Sequence, residues 1–435
     1  MSTNLEHLWM PFSANRGFKS EPRLMNEAKG MYYKKLDGTK VMDGTAGLWC
    51  CNAGHGNEKI VKAIQDQAAK LDFAPSFQMG HPLAFEAAEK LLSIAPSNDF
   101  QYTFFTNSGS EAVDTALKIA LGYQHHRGKT DKTILIGRER AYHGVGFGGI
   151  SVGGLPLNKK HFSLLPSVDH ICATHNLEKN AFSKGQPEWG KELAEDLLQV
   201  IEKHGADKIA AFITEPLAGS TGVLVPPKGY LERIREICTQ NDILLIFDEV
   251  ITGFGRLGAP FAAQYFDVEP DMITCAKGLT SGTIPMGAVL VKKEIYDAFQ
   301  DGDANSIDLF HGYTYSAHPM AAAALIASLD VYTKDNLFER TNELASYWED
   351  ALHSLKGTSH VIDIRNLGLV AGIEMSPREG SPGTRGYDVF TDGFHNHNLL
   401  LRITGDTLAL SPPLIVEKDH IDQIVETLKV IIPNH

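Results

Sequence analysis

Cysteine is scarce, with five in 435 residues: Cys50, Cys51, Cys172, Cys238 and Cys275. No two stand in a CxxC spacing, so neither a disulfide framework nor a thiolate zinc site is expected, and no other metal site is suggested. No Lys/Arg-rich run occurs. The 40 basic residues are outnumbered by 53 acidic ones, for a net charge of −13. Such a chain is a poor ligand for nucleic acid or an anionic membrane. No apolar run approaches the roughly 20 residues of a membrane-spanning helix. The opening Met1-Ser-Thr-Asn-Leu-Glu-His7 lacks the basic-then-apolar pattern of a secretory signal. A reduced, cytoplasmic setting is the expectation. Internal repeats and low-complexity tracts are missing as well. What remains is ordinary globular composition, 43% hydrophobic and 21% charged, with apolar surface enough for a large core.

The middle of the chain alternates short apolar runs with amphipathic stretches. Strand-like runs are Tyr102–Thr106, Thr133–Gly137, Ile209–Thr214, Ile243–Val250, Asp271–Ala276 and Met286–Lys292. Helix-like stretches include Glu58–Leu71, Leu83–Ile94, Glu111–Tyr123, Gly190–His204 and Tyr230–Gln240. Ile60, Ile64, Ala68 and Leu71 share one face at helical spacing. Buried strands separated by helices predict an α/β fold with a mainly parallel sheet. Active sites of such sheets gather at the carboxyl ends of the strands. From about Tyr315 the pattern changes to long helices (His318–Thr333, Asn336–Leu355), a short β region (Val361–Met375) and a final helix (Asp419–Ile431). Near the start, Met31–Met42 reads as strand–turn–strand about Asp37-Gly38. The expected division is a large domain, 58–315, and a smaller α+β domain assembled from 1–57 and 316–435.

Chemistry is expected where the strands end. Ile243–Val250 closes on two carboxylates, Asp248 and Glu249. A carboxylate there is costly to desolvate without a partner. A protonated pyridine nitrogen is one such partner; a capping role at a strand–loop junction is the alternative. Twenty-nine residues on, a second strand ends in Lys277-Gly278. A lysine so placed can form an imine with a carbonyl and later carry protons. Thr106-Asn-Ser-Gly-Ser-Glu111 follows a strand and opens a helix, so Ser108, Gly109 and Ser110 offer an anion site, an N-cap, or both. Ala141-Tyr-His-Gly144 offers an aromatic ring, Tyr142, to a flat ligand. His311–Pro319 is a turn-rich loop in which Thr314 could meet a phosphate; loop packing is the other reading.

Two stretches, Gly253–Gly258 and Gly144–Gly149, fit GxGxxG, the dinucleotide-binding pattern, so an NAD-dependent dehydrogenase is a rival. The first lies behind two carboxylates that would repel a pyrophosphate, and Pro260 follows where a helix should open. The second has no apolar strand running directly into it.

Taken together, Phe247-Asp-Glu-Val-Ile-Thr-Gly-Phe-Gly-Arg256, the strand-end Lys277 and Tyr313-Thr-Tyr-Ser-Ala-His-Pro319 resemble the fold-type I, class III (omega) aminotransferases. The resemblance spans nearly the whole chain. Leu8–Arg16 and Asp43–Trp49 are similar to the omega-amino acid–pyruvate (β-alanine–pyruvate) branch. It implies a pyridoxal 5′-phosphate enzyme with the cofactor joined to Lys277 as a Schiff base and its ring nitrogen paired with Asp248. Val250 and Tyr142 would flank the ring, and Ser108, Gly109 and Ser110 would bind its phosphate. Glu215 matches the family's acidic residue near the cofactor. Trp49 would line the substrate pocket, with Phe77 entering from a partner chain. Thr314 would reach the partner's phosphate, which implies a homodimer or dimer of dimers. Arg402 matches the family's mobile arginine, a fork for carboxylates. The implied reaction is a ping-pong transfer of an amino group to pyruvate, yielding alanine. Seven residues beyond Arg402, where the β-alanine branch carries glutamine, this chain has Ala409. Ser411–Leu414 resembles the broader amine–pyruvate branch, which includes taurine-like and aryl or alkyl amine donors. Other pyridoxal chemistry, an aminomutase or decarboxylase, is the nearest rival activity.

Overall fold

A short helix, Asn15–Ser20, and then three strands open the chain in a computed structural model that describes residues 4–435. The strands are β1 (Met25–Lys29), β2 (Tyr32–Lys35) and β3 (Lys40–Asp43). β2 and β3 pair antiparallel, Tyr32 opposite Met42, across the predicted Asp37-Gly38 turn, where Gly38 takes a positive φ of 86°. That backbone angle is easy for glycine and hard for residues with a Cβ.

Seven strands form the central sheet: β4 (Phe100–Thr106), β5 (Ile134–Arg138), β6 (Val168–Ile171), β7 (Ile209–Thr214), β8 (Leu244–Asp248), β9 (Met272–Cys275) and β10 (Gly287–Lys292). Their order is β4-β10-β9-β8-β7-β5-β6. Neighbours pair in parallel from β9 through β8, β7 and β5 to β6. β10 runs against both β9 and β4. β7 and β8 are buried along their full length. That is why their sequence is continuously apolar rather than alternating. The Gly109–His126 helix covers one face, packing on β7, β9 and β10, while Tyr230–Gln240 packs on β8.

Beyond Tyr315 come two long helices, Pro319–Lys334 and Leu337–His353. Asn336, at φ 52°, breaks the chain between them. Next are β11 (Val361–Leu367), β12 (Val370–Met375), β13 (Leu399–Leu400), β14 (Ile403–Thr404) and β15 (Thr407–Leu410), then the Lys418–Ile431 helix. β11, β12, β15 and β14 make an antiparallel sheet, whereas β13 joins β3 in parallel, Leu399 beside Met42. Early and late chain segments thus share one sheet.

Neither GxGxxG stretch supports a dinucleotide site. Gly253–Gly258 forms turns, and the next helix begins only at Ala262. A Cβ on Gly258, at φ 93°, would lie 1.8 Å from Asn342 Oδ1. The glycine answers a close approach between chain segments, with no helix N-terminus waiting for a pyrophosphate. Gly144–Gly149 leads into a helix of six residues, Phe147–Val152, packed under Asp114.

Candidate active site

β8 and β9 lie side by side with Asp248 opposite Thr274. Asp248 therefore ends one strand while the other carries the chain three residues further to Lys277. Lys277 adopts φ 50° and opens a tight turn, Lys277–Thr280. A left-handed backbone is unfavourable for a lysine and persists only where its surroundings enforce it. Both side chains reach one cavity of about 160 Å³, walled also by Gly109, Ser110, Tyr142, His143, Glu215 and Val250. It lies at the carboxyl end of the parallel strands, where such folds place ligands.

The two carboxylates that end β8 separate. Asp248, 5% exposed, faces the cavity; its Oδ2 lies 2.8 Å from Nδ1 of the buried His143, and its Oδ1 accepts the Val250 N–H at 3.1 Å. Glu249 points away from the cavity. It accepts N–H bonds from Ala262 (2.5 Å) and Ala263 (2.8 Å) and the Thr252 hydroxyl (2.9 Å), anchoring the start of a helix. Burial raises the Glu249 pKa to about 7. Adjacent residues in a strand face opposite ways, so one carboxylate of the Asp-Glu pair meets the cavity and the other the scaffold.

Glu215 follows β7, and its Oε2 accepts the Tyr142 N–H at 3.0 Å. Burial raises its pKa to about 7; the nearby His143 opposes that rise and the Asp248 charge adds to it. Burial lowers the Lys277 pKa, and the field of the Asp248 carboxylate opposes this in part. An amine so placed is freed of its proton more readily than one in water.

The helix that starts at Gly109 presents its N-terminus to the same cavity. Ser108 is its N-cap: its Oγ accepts the Glu111 N–H at 3.2 Å, and Glu111 reaches back to the Asn107 N–H at 2.7 Å. Gly109 and Ser110 line the cavity; Ser108 does not. Ser110 Oγ accepts the Val145 N–H at 3.1 Å, tying the Tyr142-His143 loop to this helix end.

Arg402 sits between β13 and β14, its carbonyl accepting the Ala409 N–H at 2.8 Å. Among the described residues its buried Nη1 has no partner. Burial lowers its pKa, against the fields of Tyr142 and Glu215. A desolvated guanidinium with an unused donor is a site for an acceptor group. Trp49, 1% exposed, lies in an apolar cluster with Ile251, Leu217 and Ala409 and adjoins the cavity through Ile251.

Phe77 (55% exposed) and the exposed Thr314 lie outside the cavity of a single protomer. They belong to neighbouring surface segments, since a Cβ on Gly312 would be 3.0 Å from the Phe77 ring. Sequence reasoning singled out no role for His143. The Ala141-Tyr-His-Gly144 motif held the signal, but only the fold brings its imidazole to Asp248.

Residues 13–432 match the model of the family described as aminotransferase class-III. The chain is 59% identical over 432 residues to an omega-aminotransferase of Caulobacter vibrioides, covering 99% of this chain and 98% of the relative. It is 46% identical to a beta-alanine–pyruvate aminotransferase of Pseudomonas aeruginosa, over 98% of this chain and 95% of that one. Among solved structures, the omega transaminase from Pseudomonas jessenii in complex with PMP superposes with a TM-score of 0.91 at 32% identity, over 99% of this chain and 98% of the other. A parallel sheet with a lysine and an aspartate meeting at its carboxyl edge defines the class, and the chain belongs to it: it is a class III aminotransferase of the fold-type I architecture.

Enzymes of this family depend on pyridoxal 5′-phosphate, and the residues present fit that group. A Cβ on Gly109 would lie 2.9 Å from both Val250 methyls, and one on Gly144 2.4 Å from Ser110 Oγ. Both glycines keep the cradle open where a flat ring and its phosphate must enter. The helix N-terminus suits an anion, the buried Asp248 a protonated ring nitrogen, and Lys277 a carbonyl carbon.

Proposed function

We propose that this chain transfers an amino group from an omega-amino acid or amine of the β-alanine type to pyruvate in a ping-pong cycle. The observation that carries the reading is the convergence of Asp248 and Lys277 on one cavity, with Arg402 close enough for its charge to be felt at Lys277. The names of the relatives support the donor and acceptor.

Pyridoxal phosphate, when bound, supplies the electron sink that lets a carbon next to nitrogen lose a proton. The protein's part is holding, orienting and moving protons. Gly109, Ser110 and the helix start would hold the phosphate, with Ser108 fixing that start as its cap. Asp248, held by His143, would keep the ring nitrogen protonated. Val250 and Tyr142 would lie against the ring, and Glu215 holds the Tyr142 backbone. Lys277 Nζ would hold the cofactor at its carbonyl carbon and, as a desolvated amine, would take up and return the proton at the reacting carbon. Arg402 receives the carboxylate of pyruvate or of an omega-amino acid. Ala409, apolar and fully buried beside it, adds no polar contact of its own, so an uncharged substituent on the donor is also admitted. Aryl or alkyl amine donors follow as the second reading from that observation.

A homodimer completes the site in this reading. Trp9, Phe12, Phe77, Met79, Phe85 and Phe310 are each more than half exposed. Apolar groups in such number mark an interface, and Phe77 and Thr314 would reach the partner's cavity across it. The test is Lys277→Ala. Turnover of pyruvate with any amine should vanish, along with the visible absorption of covalently held cofactor. An active variant overturns the assignment.

A further inference from the structure

The segment Thr45–Cys51 packs against the turn that carries Lys277. A Cβ on Gly282 would lie 2.9 Å from Cys50 Cβ and 3.2 Å from Cys51 Sγ, and Gly282 N–H is bonded to the Lys277 carbonyl at 3.1 Å. Cys50 is near enough to Lys277 for the ionisation of each to bear on the other, though burial pushes the Cys50 thiol up and keeps it neutral. The segment thus packs against the lysine's turn, and it carries Trp49, which adjoins the cavity through Ile251.

Its backbone is strained. Ala46 (φ 47°), Gly47 (φ 71°) and Trp49 (φ 65°) are all left-handed, and two of them are not glycine. Such a run persists only where other contacts fix it, and here a buried carboxylate supplies several of them, beside the Ser411 hydroxyl that donates to the Thr45 carbonyl at 3.1 Å. Asp43, fully buried, accepts the Thr45 N–H (2.9 Å) and hydroxyl (3.0 Å) on Oδ1. Its Oδ2 takes the Gly47 N–H (2.6 Å) and lies 2.7 Å from His55 Nε2. A carboxylate only accepts, so Nε2 carries the proton in this contact. The histidine is itself fixed. Its backbone makes a two-way bridge to Gly30, and the Tyr33 ring lies over it at 4.2 Å between centroids. Burial raises the Tyr33 pKa, with Asp43 adding to the rise, so that phenol stays neutral beside the carboxylate.

We propose that Asp43 and His55 are positioning residues: they hold the Thr45–Cys51 segment, and with it Trp49 and Cys50, in register with Lys277, and so set which amines react. Neither residue faces the cavity, and none of their bonds touches a residue that lines it. The inference rests on the reading of Lys277 and Trp49 given above. Loss of Lys277 removes all turnover, whereas loss of this anchor redistributes turnover among donors.

The experiment compares His55→Ala with His55→Gln, whose amide can still donate to Asp43. Each is assayed as holoenzyme with pyruvate and two donors, β-alanine and a bulky aryl amine. Cofactor absorbance and thermal unfolding are followed in parallel. A misplaced reacting group costs about 10- to 100-fold. His55→Ala should therefore lower kcat/KM for β-alanine by about tenfold or more, mainly through KM. The aryl amine, which gains room as the segment loosens, should lose less than about twofold. Cofactor absorbance should be retained, and His55→Gln should recover most of the β-alanine loss. A uniform fall for both donors, a fall that tracks lost cofactor or lost fold, or a failure of His55→Gln to differ from His55→Ala would each overturn the proposal.

Discussion

Two buried lysines sit at opposite edges of the same sheet, and they are built differently. Lys132, 5% exposed, lies at the edge where the parallel strands begin. Its ammonium donates to three carbonyls: Ala206 and Ile209, each at 3.0 Å, and Asp242 at 2.6 Å. The Asp242 carboxylate is occupied by Arg127, Lys129 and Lys132 together. Lys277, at the other edge, has the fields of the Asp248 and Glu215 carboxyls in its favour and, among the described residues, no hydrogen bond from its ammonium. Burial lowers both pKa values. One lysine has every proton spent on structure; the other keeps its nitrogen free. An ammonium with its bonds satisfied is a fastener, and one left short of them is a reagent, because only the second gains by losing its proton or by forming a new bond. The same division runs through the neighbouring carboxylates, with Glu249 bonded to backbone and Asp248 turned to the cavity.

The comparison can be broken by exchanging the two roles. The largest effect belongs to Lys277→Met, with turnover reduced by at least about 10⁴-fold. The cofactor-free protein should be no less stable than the parent, since a desolvated amine is replaced by an apolar chain. Lys132→Met should do the reverse. It leaves three carbonyls short of a donor and costs about 2–4 kcal/mol in urea unfolding, while specific activity of the folded fraction stays within about twofold. If Lys132→Met were harmless, the distinction between fastener and reagent would collapse.

Next in size is Asp248→Asn, expected to lower kcat by about 100- to 1000-fold and to weaken retention of the cofactor on dialysis. Glu249→Gln should instead lower stability by about 1–3 kcal/mol with kcat little changed. An equal loss of kcat in both would place Glu249 in the chemistry as well. Arg402→Leu should depress kcat/KM for carboxylate-bearing donors by about 30- to 100-fold, the worth of a charged hydrogen bond at 2–3 kcal/mol. Amines without a carboxylate should change by less than about threefold, measured with a fixed, saturating keto acid.

The smallest effect is a slope with pH. The Glu215 carboxyl ionises near 7 in the folded protein against an ordinary 4.5. An acid whose pKa is raised by folding stabilises the fold fully below its unfolded value, and that contribution fades as pH rises through the folded value. The melting temperature of the cofactor-free enzyme should therefore fall between about pH 4.5 and 7, and Glu215→Gln should flatten part of that fall. Glu249 accounts for the remainder, also ionising near 7. An unchanged slope in Glu215→Gln would mean that the carboxyl ionises near its ordinary value.

Much of the fold was legible because its signals are local. The apolar runs of β7 and β8 mark strands buried on both faces, and the alternation with helices gives a parallel sheet. Asp248 and Lys277 were legible as strand-end residues. Which neighbours they meet was not. His143 is 105 residues from Asp248, and its motif says nothing of that contact. The GxGxxG stretches misdirect for the same reason. Glycine is demanded at Gly258 by Asn342, 84 residues away, and a pattern along the chain cannot distinguish that from room for a phosphate.

By itself, then, the sequence determined the α/β class, the two strand ends that hold Asp248 and Lys277, the helix start at Ser108–Ser110 and the resemblance that named the cofactor. Each depends on residues within a turn or two of one another, where periodicity and capping act. Only the tertiary structure decided that Asp248 takes His143 while Glu249 takes a helix, that Arg402 keeps an unused donor, and that Asp43 and His55 pin the segment packed against the Lys277 turn. Those outcomes turn on burial and on partners distant in sequence, and desolvation is a property of the packed molecule rather than of the chain.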